Sequence, residues 1–134
     1  MILPNDTTVA VADGRRLRLF RNKAVEPQID LVELDVPDIR AENQGSGGRH
    51  RSTSANPDAG RLDEDDFAAS VAAWLNRRVL DGTVAKLLIV ADPRTLGEMR
   101  RHFHASVTAA TVGELAKDLS KHSEKEIEAA LLKA

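Results

Sequence analysis

The feature that most constrains this 134-residue chain is the five-residue apolar run Leu87–Ala91, in "AKLLIVA". A strand with no polar side has to be covered on both faces, so it belongs in the middle of a layered α/β domain. The run is also far too short to span a bilayer. The adjoining segment "DPRTLGEMRRHFH" switches to helical spacing. Asp92 stands as the N-cap, Pro93 takes the first helical position, and Leu96, Met99 and Phe103 form the inner stripe. Strand and helix together predict one βα unit.

Upstream, "TTVAVA" over residues 7–12 alternates and is rich in β-branched types. It is joined through Asp13-Gly14 to "RRLRLFRN". The second run puts Leu17 and Leu19 on one face, with Arg16, Arg18 and Phe20 on the other. Strand, Asp-Gly turn and strand spell a β-hairpin. "QIDLVELDV" reads as a third strand, antiparallel to the second. "LDEDDFAASVAAWLNRRVLDG" is a helix, with Phe67, Val71, Trp74, Leu75 and Arg78 on its inner side. Gly82 stands at its C-terminal end and the acids Asp63 to Asp66 at its dipole-positive start. "SVTAATVGEL" is read as the last strand. "SEKEIEAALLKA" is the last helix, with Ser123 and Glu126 spaced as a capping box.

The expected architecture is therefore a single α/β domain spanning 1–134. An N-terminal antiparallel meander and a C-terminal βαβ unit share one mixed sheet, covered by three helices. The length suits one domain with a real core. The composition, 42% hydrophobic and 30% charged, is that of a globular chain. With no cysteine, thiolate nucleophiles, disulfides and cysteine zinc sites are excluded. The formal charge of -2 provides no global basic field, so any contact with a polyanion has to be local. Met1 to Asp6 lacks the pattern of a secretory signal, and the expected location is cytoplasmic.

Most candidate chemistry fails on geometry. Asp63, Glu64, Asp65 and Asp66 are consecutive on a helix and diverge by about 100° each, so they do not converge on one ion. His102 and His104 are two apart, not four, and read as surface histidines. Ser46 in "QGSGG" lacks the strand and spacing of a nucleophile elbow, and nothing fixes His50 beside Ser52. The "ADPRTLGE" turn lacks a glycine-rich phosphate cradle, and Asp92 would itself occupy the helix amides. Gly97 falls too late to shape that turn and is assigned to close packing of helix on sheet. No metal, cofactor or catalytic residue is expected.

The remaining candidate is the polar stretch at about 37–61, which contains "ENQGSGGRHRSTSANPDAGR". Between Asn43 and Asn56 it carries Arg49, His50 and Arg51 and no acid. Gly45, Gly47 and Gly48 permit close backbone approach. Without an aromatic residue it offers cations but no base stacking.

At "VADGRRLRLFRN", "LLIVADPRTLGEMR" and "AKDLSKHSEKEI" the chain resembles the bacterial host-attachment family, proteins described as required for attachment to host cells. The resemblance covers nearly the whole length. Its marks are Asp13 and Gly14, the Pro93–Arg100 segment with Gly97 and Arg100, and Lys117 and Asp118. That family is in turn similar to the middle domain of archaeal and eukaryotic class I peptide chain release factors. In those factors a Gly-Gly-Gln loop after the third strand promotes peptidyl-tRNA hydrolysis on the ribosome.

Here the corresponding residues are Gly47, Gly48 and Arg49, with His50 and Arg51 next in the chain. A guanidinium only donates hydrogen bonds, so it does not replace the glutamine amide. The resemblance thus implies a non-enzymatic binding module, with the ribosome or a structured RNA as partner and Gly47 to Arg51 as the contact. An effect on host attachment would then be indirect. The alternatives are an altered peptidyl-tRNA hydrolase, or an interaction domain that pairs with a protein through an exposed sheet edge; a protein with an acidic patch is the loop's alternative partner. No membrane or small-molecule partner is expected.

Overall fold

The computed structural model of the chain describes residues 1–39 and 59–134, the side chains of the second stretch from residue 63 onward. Its five strands are β1 (Thr8–Ala12), β2 (Leu17–Asn22), β3 (Leu31–Leu34), β4 (Leu87–Ala91) and β5 (Thr111–Ala116). Four helices are seen among the described residues: α1 (Ala59–Leu80), α2 (Pro93–His102), α3 (Ala105–Ala110) and α4 (Glu124–Lys133). The strands form one mixed sheet in the order β3-β2-β1-β4-β5. β1 pairs antiparallel with β2 and parallel with β4; β2 pairs antiparallel with β3, and β4 parallel with β5.

Each face of the sheet carries its own core. Ala10, Leu17, Leu19 and Ile89 meet Phe67, Val71, Trp74 and Leu75 of α1, Leu96 and Met99 of α2, and Val107 of α3. On the other face Val9, Val11, Phe20, Leu88 and Val90 pack under Leu3, Leu119 and the α4 residues Ile127 and Leu131. All five residues of β1 and all five of β4 are buried. β1 alternates in sequence, yet no side chain of it reaches water, because its alternate positions meet helices on both faces.

Several local readings hold at the residue level. Asp92 caps α2, accepting from Thr95 N at 3.1 Å, with Pro93 at the first helical position. Ser123 and Glu126 form the capping box of α4. Gly82 adopts φ 84° after α1, the left-handed conformation that closes a helix.

Three expectations need correction. α1 begins at Ala59, so the acids 63–66 lie beyond its first turn and do not serve the helix dipole there. The fourth helix, α3, occupies the first part of what reads as the final strand. Its Ala-rich sequence favours helix. The buried Asn76 also holds its start, donating to His102 O at 2.9 Å and accepting from His104 N at 2.9 Å. A Cβ built at Gly97 meets nothing within 4 Å, so close helix-on-sheet packing is not why a glycine stands there. The Asp13-Gly14 hairpin forms as expected, and its turn uses no positive φ.

Both sheet edges are blunted. On β3, Leu31 N donates to Glu128 of α4 at 2.8 Å. On β5, Leu87 faces Thr111 and Leu88 faces Gly113, which leaves Val112 as a bulge.

Candidate functional site

The pairing directions fix which turns share an end of the sheet. β1, β4 and β5 are parallel, and Ala12, Ala91 and Ala116 lie in register at their carboxyl ends. β3 runs with β1, because both are antiparallel to β2, and Leu34 faces Leu19 near that same edge. The hairpin turn, the Asp92-Pro93 turn, the segment after β5 and the chain leaving β3 thus gather on one edge. α1 returns there too, its Glu64 lying against Gly14. Open α/β sheets bind their ligands at this kind of edge, outside the carboxyl ends of parallel strands.

The hairpin turn is built around the Asp13 carboxylate. Oδ1 accepts from Arg15 N at 2.7 Å and Arg16 N at 2.8 Å, and the backbone closes with Asp13 N donating to Arg16 O at 3.0 Å. Such an aspartate turn needs no left-handed residue. Gly14 serves another purpose. A Cβ there would sit 2.5 Å from Oε2 and 2.8 Å from Cβ of Glu64, so the glycine lets α1 press against the hairpin.

From the far side of the sequence Ser120, fully buried, reaches the same carboxylate. Its Oγ lies 2.6 Å from Asp13 Oδ2 and 2.8 Å from Asp118 Oδ1. Burial of Asp13 would raise its pKa, but the Ser120 hydroxyl, the Arg15 and Arg16 amides and the Arg16 charge together hold it below the ordinary carboxylate value.

Arg18 ties the same two segments a second time. Nε and Nη2 grip Glu33 in a fork, each at 2.9 Å, while Nη1 donates to Ser120 O at 3.1 Å and His122 O at 2.6 Å. The guanidinium also stands 5.0 Å from the centre of the Phe20 ring. The Arg18 fork keeps Glu33 ionised below its usual range.

Of the residues singled out in the sequence, Asp13, Gly14, Lys117 and Asp118 come together at this edge. Gly97 and Arg100 do not. Arg100 lies on α2 and pairs with Glu114 of β5, beside a groove lined by Phe103, Thr108 and Thr111. Gly47, Gly48, Arg49, His50 and Arg51 lie outside the described residues. His102 and His104 are exposed, and among the described residues no group of three or more His, Cys, Asp or Glu side chains is placed to hold a metal ion.

Sequence reasoning missed Ser120, Arg18 and Glu64. Ser120 carried a weak local signal, because Asp-x-Ser favours a side-chain turn. Arg18 reads as the water-facing member of an alternating strand. Its partners are remote in sequence, and no local pattern reveals them.

A mixed five-stranded sheet covered on both faces, with a cluster of turns at its carboxyl edge, defines a small single-domain α/β class. More specifically, the chain belongs to the bacterial archaeo-eukaryotic release factor family 12, whose model matches residues 6–131. No curated protein matches it. Among the described residues no helix is long and apolar enough to cross a membrane.

Proposed function

We propose that the protein is a non-enzymatic, cytoplasmic, RNA-directed module that meets the ribosome or a structured RNA through Gly47 to Arg51. The observation that carries this reading is the family match, which runs through that segment and points to the translation machinery. Arg49 and Arg51 contact phosphate, and Gly47 and Gly48 let the backbone approach. The placement of the flanking elements supports the assignment: β3 ends and α1 begins at the edge that the Asp13 and Arg18 clusters make rigid. Any influence on attachment to host cells is indirect, through translation.

Two measurements test the proposal. Arg49→Ala with Arg51→Ala should weaken binding to purified ribosomes and lower its salt dependence; unchanged affinity and salt slope overturn it. On stalled ribosomes the protein should release no peptide above background, since position 49 supplies only donors. Release that disappears on Gly48→Ala would instead make it an altered hydrolase. A protein partner that pairs along the sheet edge is disfavoured by the Glu128 contact on β3 and the Val112 bulge on β5.

A further inference from the structure

We propose that α4 and the segment leading into it, residues 117–123, form a clasp that lifts from the sheet as one unit, with Ser120 as its latch. The inference does not depend on the RNA-directed reading. The two faces of the sheet are covered very unequally. On one, α1 buries six apolar side chains between Phe67 and Leu75, and α2 and α3 add three more. On the other, among the described residues, the sheet's Val9, Val11, Phe20, Leu31, Leu88 and Val90 are closed off by four buried side chains, Leu3, Leu119, Ile127 and Leu131. Three of those four belong to the clasp.

α4 is ten residues long, and a helix of that length does not persist in water without docking. It buries Ile127 and Leu131, with Ala130 at the margin. Glu128 accepts from Leu31 N at 2.8 Å, and the Met1 amine donates to Ala134 O. The charge-assisted holds fall on the segment just ahead of the Ser123 cap. Asp13 accepts from the Ser120 hydroxyl at 2.6 Å, while Arg18 donates to Ser120 O at 3.1 Å and to His122 O at 2.6 Å. Glu124, in the first turn of α4, attracts the same guanidinium. A unit held by few apolar contacts and a handful of polar ones opens before the rest of a fold.

Ser120 belongs to the clasp and Asp13 to the hairpin, so opening is felt in three places. It takes the hydroxyl donor from Asp13 and two acceptors from Arg18, and the carboxyl edge loses the ties that join its halves. It frees Leu31 N on β3, the edge donor that Glu128 keeps from pairing with another strand. It also bares the apolar face around Phe20. Docking of α4 and order at the candidate site are thereby one equilibrium, which binding at either place shifts.

The test is native-state hydrogen exchange of the full chain, read amide by amide by NMR under conditions where rates report opening equilibria. In the wild type the α4 amides from Ile127 to Leu132 should share one opening constant. It should exceed that of Leu88 to Val90 in the central strand β4, which open with the whole fold, by roughly tenfold or more. Ser120→Ala removes a bond that is broken in both openings, so it should raise both constants by about tenfold. Arg18→Gln should act in the same direction on both. Val71→Ala weakens the α1 face, which stays packed while the clasp is open. It should therefore raise the β4 constant by roughly tenfold and leave that of α4 unchanged. Equal wild-type constants for α4 and β4, or an α4 constant that rises with Val71→Ala, overturn the clasp. An α4 constant indifferent to Ser120→Ala overturns Ser120 as its latch.

Discussion

Replacing Ser120 by alanine tests how the two halves of the candidate site are joined. The hydroxyl carries one proton but has two carboxylate neighbours, Asp13 Oδ2 at 2.6 Å and Asp118 Oδ1 at 2.8 Å. It can donate to only one of them at a time. The shorter contact and the partly buried acceptor both favour Asp13, whose ionised form the surrounding donors stabilise. Ser120→Ala therefore removes one charge-assisted hydrogen bond, worth about 1.5–3 kcal/mol in general. Asp13 keeps two amide donors and some water, which places the loss near the low end, about 1.5 kcal/mol. For a chain of this size that lowers Tm by roughly 5 °C.

The assay is urea unfolding of a double-mutant cycle. Ser120→Ala combined with Asp13→Asn should show coupling of about 1 kcal/mol, and combined with Asp118→Asn less than about 0.5 kcal/mol. A loss below about 0.5 kcal/mol for Ser120→Ala, or stronger coupling to Asp118 than to Asp13, refutes the assignment of that proton.

The two glycines of the family segments should respond in opposite directions. Gly97→Ala fills open space inside α2 and should stabilise by about 0.5–1 kcal/mol in thermal or urea unfolding. Gly14→Ala drives a methyl group into Glu64 and should destabilise by about 1–3 kcal/mol in the same assay, because the second turn of α1 has to move. Asp13 gives a pH signature. Its folded pKa lies below its unfolded value near 3.9, so its contribution is fully present above about pH 4 and is lost as pH falls through the lower folded value. Melts between roughly pH 5 and 2 should show wild type losing more stability than Asp13→Asn; parallel curves would remove Asp13 from the acid transition.

Much of the fold was legible because its signals are local. The apolar run Leu87–Ala91, the Asp92-Pro93 cap, the Ser123/Glu126 box and the Asp-Gly hairpin each act within a few residues. Where the reading went astray, a distant contact decided the outcome. Residues 105–110 take helical form beside a fixed Asn76 rather than continuing as strand. The close approach that requires Gly14 comes from a helix fifty residues later. The candidate site was legible in part. Asp13, Gly14, Lys117 and Asp118 stood out as family residues, but what unites them is Ser120 and Arg18. Both act across the sheet, where spacing in the sequence carries no information.

The most direct test of an RNA-directed function is sedimentation of the purified protein with purified ribosomes through a sucrose cushion, at roughly 50 mM and 300 mM potassium chloride. Recovery in the ribosome pellet at low salt, lost at high salt and lost in Arg49→Ala/Arg51→Ala, is the expected result. A protein that stays in the supernatant at both salt concentrations contradicts it.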